Sequence, residues 1–209
     1  MSADKARTGK KALWKGVVLV LIGAAMMGGS SVGVASQAQP SLAALSTENV
    51  PAEGAETVYG LPLAWENAHL FAACYDAIQL QGEGMIVFEE ALAPLAAPCY
   101  DDNPLARCCC ERGGLIRNVV RTTRELGAYL VRAGYDAEIV SAAMEQWLRF
   151  IHGDYYVARA LAAMGEDPIA YRLFKPENGA CYRNLCNAPL REGGCGGMGS
   201  EVIVGRSRI

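Results

Sequence analysis

Histidine is the scarcest chemical resource of this chain, with two in 209 residues. A His-rich metal centre is therefore excluded from the outset. Basic residues are also short, with 19 Lys and Arg against 22 Asp and Glu. A phosphate-binding face needs a surplus of cations, so nucleic acid is not a partner. No CxxC, CxxCH, HExxH or GxxxxGK occurs, and no GxGxxG in a strand-to-helix setting. Those gaps remove zinc-ribbon spacing, covalent c-type haem and the common metalloprotease and nucleotide-binding signatures. Repeats of solenoid or propeller length are absent. Alternating strand patterns are missing too. What is present in excess is cysteine, eight residues, and glycine, 23.

The N-terminus sets the compartment. Lys5, Arg7, Lys10, Lys11 and Lys15 form a basic head, and no charge follows from Gly16 to Ala35. A basic head, an apolar stretch and an exit through Gly33-Val34-Ala35 read as an export signal. The densest apolar run, from Gly16, falls short of the roughly 20 residues of a spanning helix. The whole uncharged stretch approaches that length, so residues 1–35 read as a signal peptide or an N-terminal membrane anchor. Either way the remainder lies beyond the cytoplasmic membrane, in the periplasm or on the membrane's outer face. Without the leader, 14 basic and 21 acidic residues remain, a net of −7, and Lys175 is the sole lysine. A polybasic membrane-surface face is excluded for that part.

Residues 36–62, rich in Ala, Ser, Glu, Pro and Gly, read as a flexible linker, and 63–209 as a Cys-rich helical domain. Apolar residues recur at helical spacing over 64–80 (Trp65, Ala68, Phe71, Ala72, Tyr75). They do so again over 85–95 (Met85, Val87, Phe88, Leu92, Leu95) and over 115–132 (Leu115, Val119, Leu126, Leu130). Gly134 closes the third segment, and Asp136 caps a fourth. Its apolar stripe is Ile139, Val140, Ala143, Met144, Trp147, Leu148 and Ile151. Gly153 ends that helix, and Asp154 starts another through Tyr155, Val157, Ala158, Leu161 and Met164. His152 sits at a helix C-terminus, where a cation would be favoured. From Asn178 onward the glycines argue against regular structure. The expected fold class is mainly α, a small helical bundle with a Cys/Gly-rich C-terminal tail packed on it.

The cysteines carry whatever chemistry there is. Beyond Cys74 they form two groups: Cys99 with Cys108, Cys109 and Cys110, and Cys181, Cys186 and Cys195 in the tail. An up-and-down bundle brings the two groups to one side. In an oxidising compartment they read as a disulfide framework, with on the order of a hundred complete pairings open. Three successive cysteines strain that reading, because adjacent side chains diverge and each needs its own partner. The alternative is thiolate binding of a soft cation, copper or zinc, by Cys99, Cys108, Cys109, Cys110, Cys181, Cys186 and Cys195. Met198, in Cys195-x-x-Met198, would add a thioether suited to copper. A redox-active disulfide is the third reading, without the two-residue spacing usual in dithiol oxidoreductases.

Pro98-Cys99-Tyr100, the cysteine cluster after it and the helices that follow resemble the bacterial exported proteins described by a Pro-Cys-Tyr-Cys-Gly-Cys (PCYCGC) motif. The likeness spans about residues 98–152. It implies an exported location and thiol chemistry, and carries over one residue, Cys99. Asp101, Asp102 and Asn103 stand where the motif continues with Cys-Gly-Cys.

The functional expectation is a non-enzymatic, exported or membrane-tethered protein that holds copper or zinc through clustered cysteines. Its rival is a disulfide-stapled accessory subunit, without metal, of a membrane or envelope complex. For that role Tyr155, Tyr156, Trp147 and Tyr171 are candidate contact residues, although the place of Trp147 on the apolar stripe points to core instead.

Overall fold

The computed structural model describes residues 41–74, 77–99, 104–107 and 116–206. The leader expected over 1–35 lies outside them. Six α-helices and no strand occur among the described residues. They are α1 (Leu42–Asn49), α2 (Asn67–Cys74), α3 (Glu83–Leu92), α4 (Asn118–Arg132), α5 (Ala137–Ile151) and α6 (Gly153–Ala163). None of the helices in the described part is long and apolar enough to cross a membrane.

The hairpin of α4 and α5 is the spine. Both helices are strongly amphipathic, so each must bury one stripe against the other. Their link is built from the predicted residues. Gly134 takes φ +91°, its N–H donates to Val131 O, and Tyr135 N–H reaches back to Leu130 O. That paired closure needs a left-handed residue, which glycine supplies without a Cβ clash. Asp136 Oδ1 then accepts from Ile139 N–H at 2.9 Å, capping α5 as expected.

Helix α2 packs on α4, and α3 packs on both α4 and α5. Their apolar faces meet at Trp147, which is fully buried. Its indole N–H donates to Thr122 Oγ1 at 3.1 Å, and its ring lies edge-on to Phe71 at 5.1 Å. Of the predicted α5 stripe, all but Ile139 are buried. Met164, expected on the inner face of α6, is exposed, because that helix ends at Ala163.

Part of the stretch expected to be a linker folds. Helix α1 lays Leu45 against Val157 and Leu161 of α6, forming a second small core. Residues after α1 are tied down by side chains of the spine. Gln146 Nε2 donates to Glu56 O, and Tyr135 OH donates to Val58 O. The polar composition of 36–62 concealed this, since few apolar side chains anchor it and the rest is backbone hydrogen bonding.

Candidate functional site

The Cys/Gly tail is fastened to the bundle at the start of α4. The first N–H groups of a helix lack intrahelical partners. Here Asn118 N–H donates to Gly197 O at 3.0 Å and Val119 N–H donates to Cys195 O at 3.1 Å. Arg117, the N-cap residue, supplies no side-chain cap. The tail backbone is thus the cap of α4. Asn118 completes the joint: fully buried, its Nδ2 donates to Gly196 O and to Glu201 O, both at 2.8 Å. Replacing Asn118 with Ala takes the side-chain donor from Glu201 O and leaves Gly196 O with Ile203 N–H alone. We expect a loss of roughly 2–3 kcal/mol. It should register as faster proteolysis of the tail and faster hydrogen exchange at Ile203 N–H, which is bonded to Gly196 O.

The tail glycines let two stretches of chain touch. Gly194 N–H donates to Pro189 O, Cys195 N–H to Leu185 O, Gly196 N–H to Ala188 O and Gly197 N–H to Cys186 O. A Cβ at Gly194 would collide with the backbone of Ala188. The contact presses Cys195 onto the loop that carries the other two tail cysteines. Cys181 and Cys186 are joined by a disulfide, with Cα atoms 4.7 Å apart. Asn184 inside that loop takes φ +61°, a left-handed conformation that asparagine tolerates better than most residues. Cys195 is a thiol, fully buried, with its Sγ 3.8 Å from Cys181 Sγ. Cys181 and Cys186 are half-buried.

The first cysteine group reaches the same place through Cys99. Its carbonyl accepts from Cys181 N–H at 3.0 Å, and Pro98 O accepts from Ala180 N–H at 3.1 Å. Cys99 is fully buried. The structure therefore brings together Cys99, Cys181, Cys186 and Cys195 from segments more than eighty residues apart. Cys108, Cys109 and Cys110 lie outside the described residues. Cys74 is elsewhere, at the end of α2.

Two further residues surround this centre. His152 joins α5 to α6, is fully buried, and its imidazole hydrogen-bonds the Gly194 backbone. Burial pushes its pKa down to about 4, against the raising effect of that bond and with the aid of Arg183. The cation expected at this helix end is therefore not formed at neutral pH; removal from water outweighs the helix dipole. Burial also draws the Arg183 guanidinium down, opposed by Asp154 and by the Cys195 sulfur. Arg183 lies 3.8 Å above the Phe174 ring and donates from Nε to Asn178 O. Sequence reading did not single out Asn118 or Arg183, since nothing in their neighbours marks a contact made across some eighty or thirty residues.

The structure also bears on the predicted metal ligands and the aromatic surface. Among the described residues no group of three or more His, Cys, Asp or Glu side chains could hold a metal ion. Two of the proposed ligands, Cys181 and Cys186, are consumed by their mutual bond. Met198 is partly exposed, and its backbone pairs with Arg117. Trp147 is core, as its stripe implied, and Tyr155 and Tyr156 are buried too, so they do not form a contact surface. Exposed apolar side chains instead gather beside α2 and α4. There Leu61, Leu70 and Tyr129, with Phe71, Cys74 and Leu126, line a cavity of about 390 Å³.

No protein-family model, curated protein or solved structure matches this chain.

Proposed function

We propose that this chain is an exported or membrane-tethered, non-enzymatic accessory protein of a membrane or envelope complex. Its interaction body is a helical bundle, and its tail is held by thiol chemistry. The observation that carries the reading is the bridged Cys181–Cys186 loop, against which Cys195 packs while its carbonyl caps the start of α4. A bridge typically adds about 2–4 kcal/mol, and a glycine-rich tail with little apolar area of its own needs such help. Leu61, Leu70 and Tyr129, exposed by 41, 48 and 53 %, supply apolar surface of the kind that partners cover.

A second reading, soft-metal handling, is favoured by one distance. Tetrahedral Zn²⁺ with Zn–S bonds of about 2.3 Å has an S···S edge of about 3.8 Å. Cys181 and Cys195 stand 3.8 Å apart. On reduction Cys186 would rejoin them, giving three thiolates for copper or zinc.

Thiol counting with elemental analysis on protein exported to an oxidising compartment separates the two. The accessory reading expects Cys181 and Cys186 unreactive until a reductant is added, and no bound metal. Stoichiometric copper or zinc, with thiols released by a chelator alone, would overturn it in favour of the metal.

A further inference from the structure

We infer that Cys181, Cys186 and Cys195 form a two-position disulfide, in which Cys181 exchanges its partner between Cys186 and Cys195. The inference rests on the bridged tail of the preceding section and adds a chemical step to it. Exchange requires a thiolate close to a disulfide sulfur and a leaving thiol that can depart. Cys195 Sγ lies at 3.8 Å from Cys181 Sγ, close to van der Waals contact of two sulfurs. It is held there by backbone bonds on both sides, Cys195 N–H to Leu185 O and Gly196 N–H to Ala188 O. The thiol is buried while the bridge is half-exposed, so the internal nucleophile is screened from external oxidants that the bridge meets. The Arg183 guanidinium interacts electrostatically with the Cys195 sulfur.

The step is balanced without an added oxidant. The Cys195 thiol gives its proton to solvent, and its sulfur attacks Cys181 Sγ. The Cys181–Cys195 bond forms as the Cys181–Cys186 bond breaks. Cys186 leaves as a thiolate and takes up a proton. One disulfide and one thiol remain throughout. The consequence is positional: the thiol passes from the fully buried Cys195 to the half-exposed Cys186, where it can meet a partner's cysteine or a soft cation.

Trypsin makes this measurable, because it cuts after Arg183 and Arg191 and so puts the three cysteines on three peptides. The full-length protein is equilibrated near the ordinary thiol pKa of about 8.5. It is then quenched in mild acid, unfolded in the presence of N-ethylmaleimide, and digested without reductant. We expect two linked pairs in the wild type, Cys181–Cys186 and Cys181–Cys195. Cys186→Ser should give Cys181–Cys195 alone. Cys195→Ser should give Cys181–Cys186 alone, with labelling of Cys186 in the folded protein at least about tenfold slower than in wild type. A wild-type map holding only Cys181–Cys186, with Cys195 entirely alkylated, overturns the exchange and leaves the bridged tail intact. That wild-type result decides the matter even if a variant fails to fold. Absence of any Cys181–Cys186 pair before equilibration would overturn the bridged tail and the exchange with it.

Discussion

Trp147→Ala should lower the stability of the helical body by about 3–5 kcal/mol, the range for truncating a buried aromatic. Three effects act together there. The indole is fully buried at the meeting of α2, α4 and α5, so its removal leaves a cavity that those helices cannot close without losing their own contacts. The edge-on contact with Phe71 at 5.1 Å is lost, as is the tilted contact with Phe150 at 5.9 Å. Thr122 Oγ1 also loses the donor that bonded it at 3.1 Å. Urea denaturation followed by circular dichroism reads the effect as a drop in midpoint. Trp147→Phe should recover part of the loss, since it restores apolar volume without the N–H donor. A loss under about 1 kcal/mol for the Ala variant would mean that Trp147 is not at the centre of the packing.

Acidification should destabilise the protein through His152. In the unfolded chain this imidazole protonates near pH 6.5, and in the folded protein burial holds it to about pH 4. Between those values the unfolded state binds the extra proton and the native state does not. Stability therefore rises with pH across the window and falls as pH drops through it. A depression of that size corresponds to roughly 3 kcal/mol lost by about pH 4. Carboxylates add their own acid sensitivity, but they do so equally in His152→Gln. The test is the difference between the two stability curves from pH 7 to 4, which should shrink toward acid. Parallel curves over that range would show that His152 is not held neutral by the fold.

The two expectations differ in how legible they were. The 3.6-residue stripe of α5 placed Trp147 inside directly from sequence, and Gly134 with Asp136 marked the turn that closes the hairpin. Helix class follows from such local signals because periodicity and capping act within a few residues. The contacts of the tail do not. Asn118 looks like an ordinary polar residue at a helix start, yet it holds Gly196 and Glu201 from the far end of the chain. The sequence shows His152 at a helix end, where a cation is favoured, but not the Gly194 backbone that meets it. Tyr155 and Tyr156 looked available for a partner because adjacent aromatics on a short helix do not reveal how wide its buried face is. The convergence of Cys99 with the tail was expected from helix count. The bridge between Cys181 and Cys186 was not, since spacing alone left every pairing open.

The reading of the tail as a thiol centre built on the start of α4 has one direct test. Protein recovered from the oxidising compartment is alkylated in acid, digested with trypsin without reductant, and examined by mass spectrometry. The expected product is peptide 173–183 linked through Cys181 to peptide 184–191 through Cys186, and released by reduction. Recovery of those two peptides as separate alkylated species, with each cysteine a thiol in the folded protein, would contradict the account.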